Sequence, residues 1–172
     1  MGGRDYYNNF GSGTVSGAWG SLYSGMLPDI AAIEAQNGED NLLAFHLGIS
    51  KAMAAHVMMG IVDSVGDIPF TQANNPSEYP SPSVDDDADV YAAAVAMLDE
   101  AESYLNAAGG GDDLFYGGDS SKWMKFVNTL RMRAMLTTGD YAGALAQGGV
   151  IDTADADMQF NYGTQELQPD TR

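Results

Sequence analysis

The apolar positions of the chain fall into helical periods and almost nowhere into strand alternation. Trp19, Leu22, Tyr23, Met26, Ile30 and Ile33 recur three and four apart, one face of a helix over residues 15–36. Pro28 inside that stretch predicts a kink, because proline lacks the N–H and crowds the preceding turn. A second helix is predicted over about 40–64, with Asp40 or Asn41 as its N-cap. Its apolar residues cover nearly the whole circumference, so it is the expected central helix. Val90, Met97, Leu98, Ala101, Tyr104 and Leu105 form the stripe of a third, over about 85–107. Ser83 and Asp86 have the spacing of a capping box with Asp in place of Glu. A fourth helix follows "GGDSS" and runs to about Thr137, with Trp123, Phe126, Val127, Leu130 and Ala134 on one side. A short fifth, "DYAGALAQ", follows a Gly139-Asp140 turn.

The segments between these stripes are long and irregular. "NNPSEYPSPS" is a proline-rich connector, and "AAGGGDDLFYGG" a glycine-rich turn holding the apolar triplet Leu114 to Tyr116. From Gly148 the pattern fades into what reads as an unfinished domain or a frayed tail. The predicted fold is all-α: antiparallel helix pairs with tetratricopeptide-like packing and long irregular loops, in a single domain over residues 1–172. "TGDYAGALAQGG" is similar to the opening helix of a tetratricopeptide repeat, although no period of about 34 residues is visible.

The end of the second helix, "HVMMGIVDSVGDIPFTQ", poses a problem. Acids are disfavoured in a last helical turn, where the carbonyl dipoles already carry partial negative charge. Gly66 is expected to end the helix in a left-handed conformation and Pro69 to prevent its resumption. That leaves Asp63 and Asp67 unexplained. Either both are solvated loop residues, or Asp63 or Asp67 pairs with Arg131 or Arg133 and clasps the second helix to the fourth.

Charge narrows the partners. Seven basic residues stand against 24 acidic ones, a net charge of -17. That excludes the basic face that nucleic acid needs, and it disfavours anionic membrane surfaces. With no cysteine there is no disulfide and no thiol chemistry. No unbroken run of about 18 apolar residues is present, so no membrane span is expected. "MGGRDYYNNF" lacks the apolar centre of a signal peptide, so either the protein is cytoplasmic or an export signal lies outside this sequence.

Sharp chemical motifs are missing. His46 and His56 lie about 15 Å apart along one helix and about 80° around it, too far to share a metal unaided. "DDDAD" offers Asp85, Asp87 and Asp89 with EF-hand spacing, but Val90 and Ala96 occupy the glycine and glutamate positions. No nucleophile elbow, zinc-protease or phosphate-loop motif occurs, and no cofactor is expected. A carboxylate pair for glycoside hydrolysis stays open, because sequence does not give separations. The remaining resource is aromatic: Tyr6, Tyr7, Phe10 and Trp19 near Asn8 and Asn9, Tyr79 in the proline loop, Phe115 and Tyr116 in the glycine loop. Such rings either pack in the core or stack on the apolar faces of sugars.

Three blocks together resemble the SusD/RagB family: "WGSLYSGMLPDI", "IVDSVGDIPFTQA" with "VYAAAVAMLDEAESYL", and "DLFYGGDSSKWMKFVNTLRMRAML". The resemblance is closest to the SusD-like branch. It implies a nutrient-binding outer-membrane lipoprotein of Bacteroidota, displayed at the cell surface and not an enzyme. Its implied ligand is an oligosaccharide or other nutrient, handed to a SusC-like TonB-dependent transporter. Family members are much longer, so the chain corresponds to an N-terminal portion. Asn8, Asn9, Trp19 and Tyr79 are the ligand-contact candidates. A helical-repeat interaction scaffold without a small ligand is the alternative, and an acidic glycosidase a remoter one.

Overall fold

The computed structural model describes residues 13–107 and 110–160. Asn8 and Asn9 lie outside them. Every regular element among the described residues is helical, and the one β-type contact is an isolated antiparallel bridge between Ile68 and Asp85.

The first helix is continuous but changes pitch. It is α-helical over Ser16–Gly20 (α1), π-helical over Ser21–Met26, and α-helical again over Leu27–Gln36 (α2). The distortion therefore falls on the turns before Pro28, which sits at the start of α2. Proline cannot donate to the carbonyl four residues back, and the wider π turns fall just ahead of it, ending with the Leu27 N–H on the Leu22 carbonyl.

The central helix, α3, spans Ala44–Val65, and α4 spans Asp87–Ala107. The contacts Lys51–Glu100 and Asp63–Tyr91 show that these two run antiparallel. They share the largest interface in the molecule. Added at Gly48, a Cβ would come within 2.7 Å of Leu105 Cγ, so glycine is what lets the helices approach here. The helix α5, Ser120–Thr138, runs parallel to α3: Phe126 sits against His56 and Arg133 against Asp63. The short α6, Tyr141–Ala146, turns back from it.

By length and composition α3 would suffice to cross a bilayer, yet most of that stretch is buried inside this fold. Met58, Met59, Ile61, Leu98, Trp123 and Val127 are all fully or almost fully buried around it. Of the methionines, Met58 and Met59 lie in the core and Met53 and Met97 at its margin.

Two N-caps differ from expectation. Neither Asp40 nor Asn41 caps α3; its N-cap position is Leu43, without a side-chain bond. Asn37 organises that loop instead, accepting from the Leu43 N–H and donating to Asn41. The Ser83–Asp86 box is not formed. Ser83 bonds to Gln72, while Asp86 accepts from the Ala88 N–H and Asp67 from the Asp87 N–H. The start of α4 is thus capped partly from the far side of the α3–α4 loop. The cap of α5 is Asp119, which accepts from Ser121 and Lys122 N–H.

The residues after Gly148 are not a frayed tail as far as residue 160. They lie along α5, held by side chains of that helix. Ile151 N–H donates to Thr129 Oγ1 at 2.9 Å, and Lys125 Nζ reaches Asp152 at 2.6 Å. Lys122 Nζ donates to the Asp155 carbonyl at 2.7 Å. Ala156 is buried beneath the Tyr116 hydroxyl, which donates to its carbonyl at 2.8 Å.

Candidate functional site

The "DSVGDIPF" junction is built from three acids with three different duties. Asp63 accepts from Arg133 Nη2 at 2.5 Å and from the Tyr91 hydroxyl at 3.1 Å, so it touches α5 and α4 together. Asp67 caps α4. Asp85, across the loop, accepts from the N–H groups of Phe70 and Thr71 and from the Thr71 hydroxyl. The Thr71 hydroxyl and those two N–H groups hold the Asp85 carboxyl below its usual range despite some desolvation.

Gly66 ends α3 at φ 78 and ψ -130, a positive-φ conformation other than the left-handed helical one expected. It still favours glycine, because that region crowds a Cβ. Ile68 then turns back into the core, Phe70 packs at its edge, and the Pro69 carbonyl accepts from the Tyr23 hydroxyl at 2.5 Å. Arg131 takes no part in this junction. It pairs with Asp99 at 2.8 Å and Glu102 at 2.5 Å, because its position on α5 faces the C-terminal half of α4 and not the end of α3.

Asp63 and Arg133 are both about one-third exposed, at 31% and 37%. A double-mutant cycle with Asp63→Asn and Arg133→Ala is therefore expected to show a coupling of about 1 kcal/mol in denaturant unfolding. A coupling indistinguishable from zero would show that the contact ties nothing together.

The carboxylates of Asp67, Asp86 and Asp87 gather within 4.8 Å of one another. Their place at the positive end of the α4 dipole accounts for the gathering. A more buried charge lies elsewhere, and sequence reasoning missed it. Lys51, in the middle of the apolar α3, is 5% exposed and bonds to Glu34 and Glu100 at 2.5 Å each. Burial pushes its pKa down, but the two carboxylates outweigh this and hold it above its usual value. One ammonium thus joins α2, α3 and α4.

Of the aromatic candidates, Trp19 is half-buried, with its ring 4.7 Å from Tyr23 and its body against the core. Burial, then the nearby Asp85 charge, pushes the Tyr23 hydroxyl up to about 12, so it stays a neutral donor to Pro69. Tyr79 is also half-buried, in a turn closed by its N–H to the Asn75 carbonyl. No described contact joins it to Trp19.

The glycine loop presents rings beside charged and polar groups. Asp113 accepts from the N–H groups of Phe115 at 2.7 Å, Tyr116 at 2.6 Å and Gly118 at 2.6 Å. Gly118 has φ 90, and a Cβ there would run into the Gly111 carbonyl. The loop so fixed sets Phe115 and Tyr116 edge-on against Trp123. Together with Lys122, Asp155, Asp157 and Gln159 they line a groove of about 360 Å³. Burial and then Asp157 and Asp113 push the Tyr116 hydroxyl up to about 12. Phe115 and Tyr116 stood out in the sequence as loop aromatics. Asp155, Asp157 and Gln159 carried no signal, because their segment has no periodicity.

Burial pushes the Asp113 carboxyl up, but its three backbone bonds outweigh burial and hold it below the usual range. With the folded value depressed, its stabilisation is complete above the unfolded value of about 3.9 and is lost as pH falls through the folded value. Asp85 acts with the same sign. Near-ultraviolet circular dichroism of the aromatic loop is expected to hold steady from neutrality to about pH 4 and to collapse below it. A transition centred near pH 6 would assign the loop's stability to other groups.

A second groove, about 410 Å³, lies between α4 and α5, with Ala88, Ala92, Val95, Ala134 and Met135 as its apolar lining beside Tyr91. Beside it Tyr141 and Leu145 of α6 are 65% and 90% exposed.

Comparison with known proteins bears on the fold and the family. The profile of the SusD-like family described as "starch-binding associating with outer membrane" matches residues 2–164. No curated protein sequence matches significantly. Among solved structures, a SusD/RagB family protein from Bacteroides thetaiotaomicron superposes with a TM-score of 0.73 at 26% identity, over 88% of this chain and 34% of that one. A SusD-like protein from the same organism gives 0.69 at 26% identity, over 87% and 33%. A protein described as chitin-binding gives 0.67 at 28% identity, over 84% and 33%. The chain thus spans about a third of the length of these relatives.

Proposed function

Since the chain belongs to the SusD-like family, we propose that it is part of a non-catalytic glycan-binding protein of the bacterial cell surface. It holds an oligosaccharide or other nutrient and delivers it to a SusC-like TonB-dependent transporter in the outer membrane. The observation that carries this reading is the family match over nearly the whole chain. The chitin-binding description of one relative supports a sugar ligand. A rigid helical frame bearing irregular loops suits such a role, because the loops diversify while the frame stays fixed. Catalysis is no part of the proposal, since binding and hand-over require no reacting group. Asn8, Asn9, Trp19 and Tyr79 remain proposed contacts for the ligand.

A helical interaction scaffold without a small ligand is the second reading, and the apolar α4–α5 groove with exposed Tyr141 and Leu145 favours it. A glycan array probed with the purified chain separates the two. Saturable binding to at least one neutral polysaccharide family is expected. An array without any specific signal would overturn the glycan reading and leave the scaffold. Release of reducing ends from a bound glycan would overturn the non-catalytic part.

A further inference from the structure

We propose that the groove formed by Phe115, Tyr116, Lys122, Asp155, Asp157 and Gln159 is a sugar subsite selective for uncharged or amine-bearing hexoses. The inference rests on the glycan-binding reading and places it at one spot of this chain.

Sugar recognition needs an apolar wall for the C–H face of the ring and fixed polar groups for its hydroxyls. The groove has both. Phe115 and Tyr116 supply the wall. Their positions are set from behind by edge contacts to the fully buried Trp123, with centroids at 6.0 and 5.1 Å, and from below by the Asp113 bonds. The opposite wall is the segment that lies along α5, anchored by Tyr116 to the Ala156 carbonyl and by Lys122 to the Asp155 carbonyl. Both walls are therefore held before any ligand arrives, which lowers the ordering cost of binding.

The polar edge sets the selectivity. Asp155 and Asp157 bring two carboxylates, while the single cation, Lys122, already lies 3.7 Å from Asp155. The local charge is negative, within a chain of net charge -17. An acidic sugar is repelled here; hydroxyls and amines find acceptors in Asp157 and in the Gln159 amide.

Isothermal titration of the 172-residue chain with maltohexaose, chitohexaose, a chitosan hexamer and an oligogalacturonate tests this. At least one of the first three is expected to bind, and the galacturonate at least about tenfold more weakly. Asp157 and Gln159 are exposed, so Asp157→Ala and Gln159→Ala should leave the helical spectrum unchanged. Each is expected to weaken binding by about fivefold or more. If sugars bind and both variants stay within twofold of the parent, the groove is not the subsite, although the glycan reading stands. If the galacturonate binds as well as the others, the charge selectivity is wrong. If none of the four binds, the subsite proposal falls, while the array decides the wider reading independently.

Discussion

Trp123→Ala is expected to destabilise the protein by about 3–5 kcal/mol, measured as a shift of the urea midpoint at constant slope. The indole is 0% exposed and meets Phe115, Tyr116 and Phe126 edge-to-face, with centroids at 6.0, 5.1 and 5.7 Å. Its removal opens a cavity that the surrounding helices resist closing, since α5 is fixed to α3 further along, through Phe126 against His56 and Arg133 on Asp63. Total stabilities of domains are about 5–15 kcal/mol, so the variant would sit near its folding threshold. Trp123→Phe should recover a large part of the loss by keeping an edge-to-face partner. A loss below about 1 kcal/mol for the alanine variant would show that the loop and α5 do not depend on this ring.

Asp113→Ala is expected to cost about 3 kcal/mol and to free the aromatic loop. Three backbone N–H groups lose a charged acceptor at once, those of Phe115, Tyr116 and Gly118. Bonds to a charged group contribute about 1.5–3 kcal/mol each, but the released loop can turn some of these donors to water, so the sum is not reached. Asp113→Asn keeps one carbonyl oxygen and should fall between the two. The check is denaturant unfolding combined with near-ultraviolet dichroism. If the alanine variant keeps both the midpoint and the aromatic signal of the parent, the carboxylate does not hold the loop.

The helices were legible because burial on one face leaves a periodic trace. The stripe from Val90 to Leu105 and that from Trp123 to Ala134 correspond to α4 and α5 closely. What escaped was whatever depends on partners distant in sequence. Lys51 is a single lysine in an apolar run, and its partners are on two other helices. The start of α3 slipped because its loop is organised from outside the helix, by Asn37. The segment after Gly148 carries no period because several of its bonds join α5 side chains to its own main chain, which any residue type supplies. The mixed groove was half legible: the rings stood out, but the wall facing them did not. Helical periodicity was enough for the fold class, whereas the broad function came only from resemblance to a family, since spacing and charge left it open.

The acid-rich composition takes on a different meaning once the basic side chains are placed. All five among the described residues, Lys51, Lys122, Lys125, Arg131 and Arg133, hold one part of the chain to another. They neutralise acids locally, and the remaining acids leave the described surface with a strong excess of negative charge. Its like charges repel over a Debye length of about 8 Å at physiological ionic strength, whereas the partly buried joints are screened much less. Dissolved salt is therefore expected to relieve the repulsion more than it weakens the most buried of these joints, the one at Lys51.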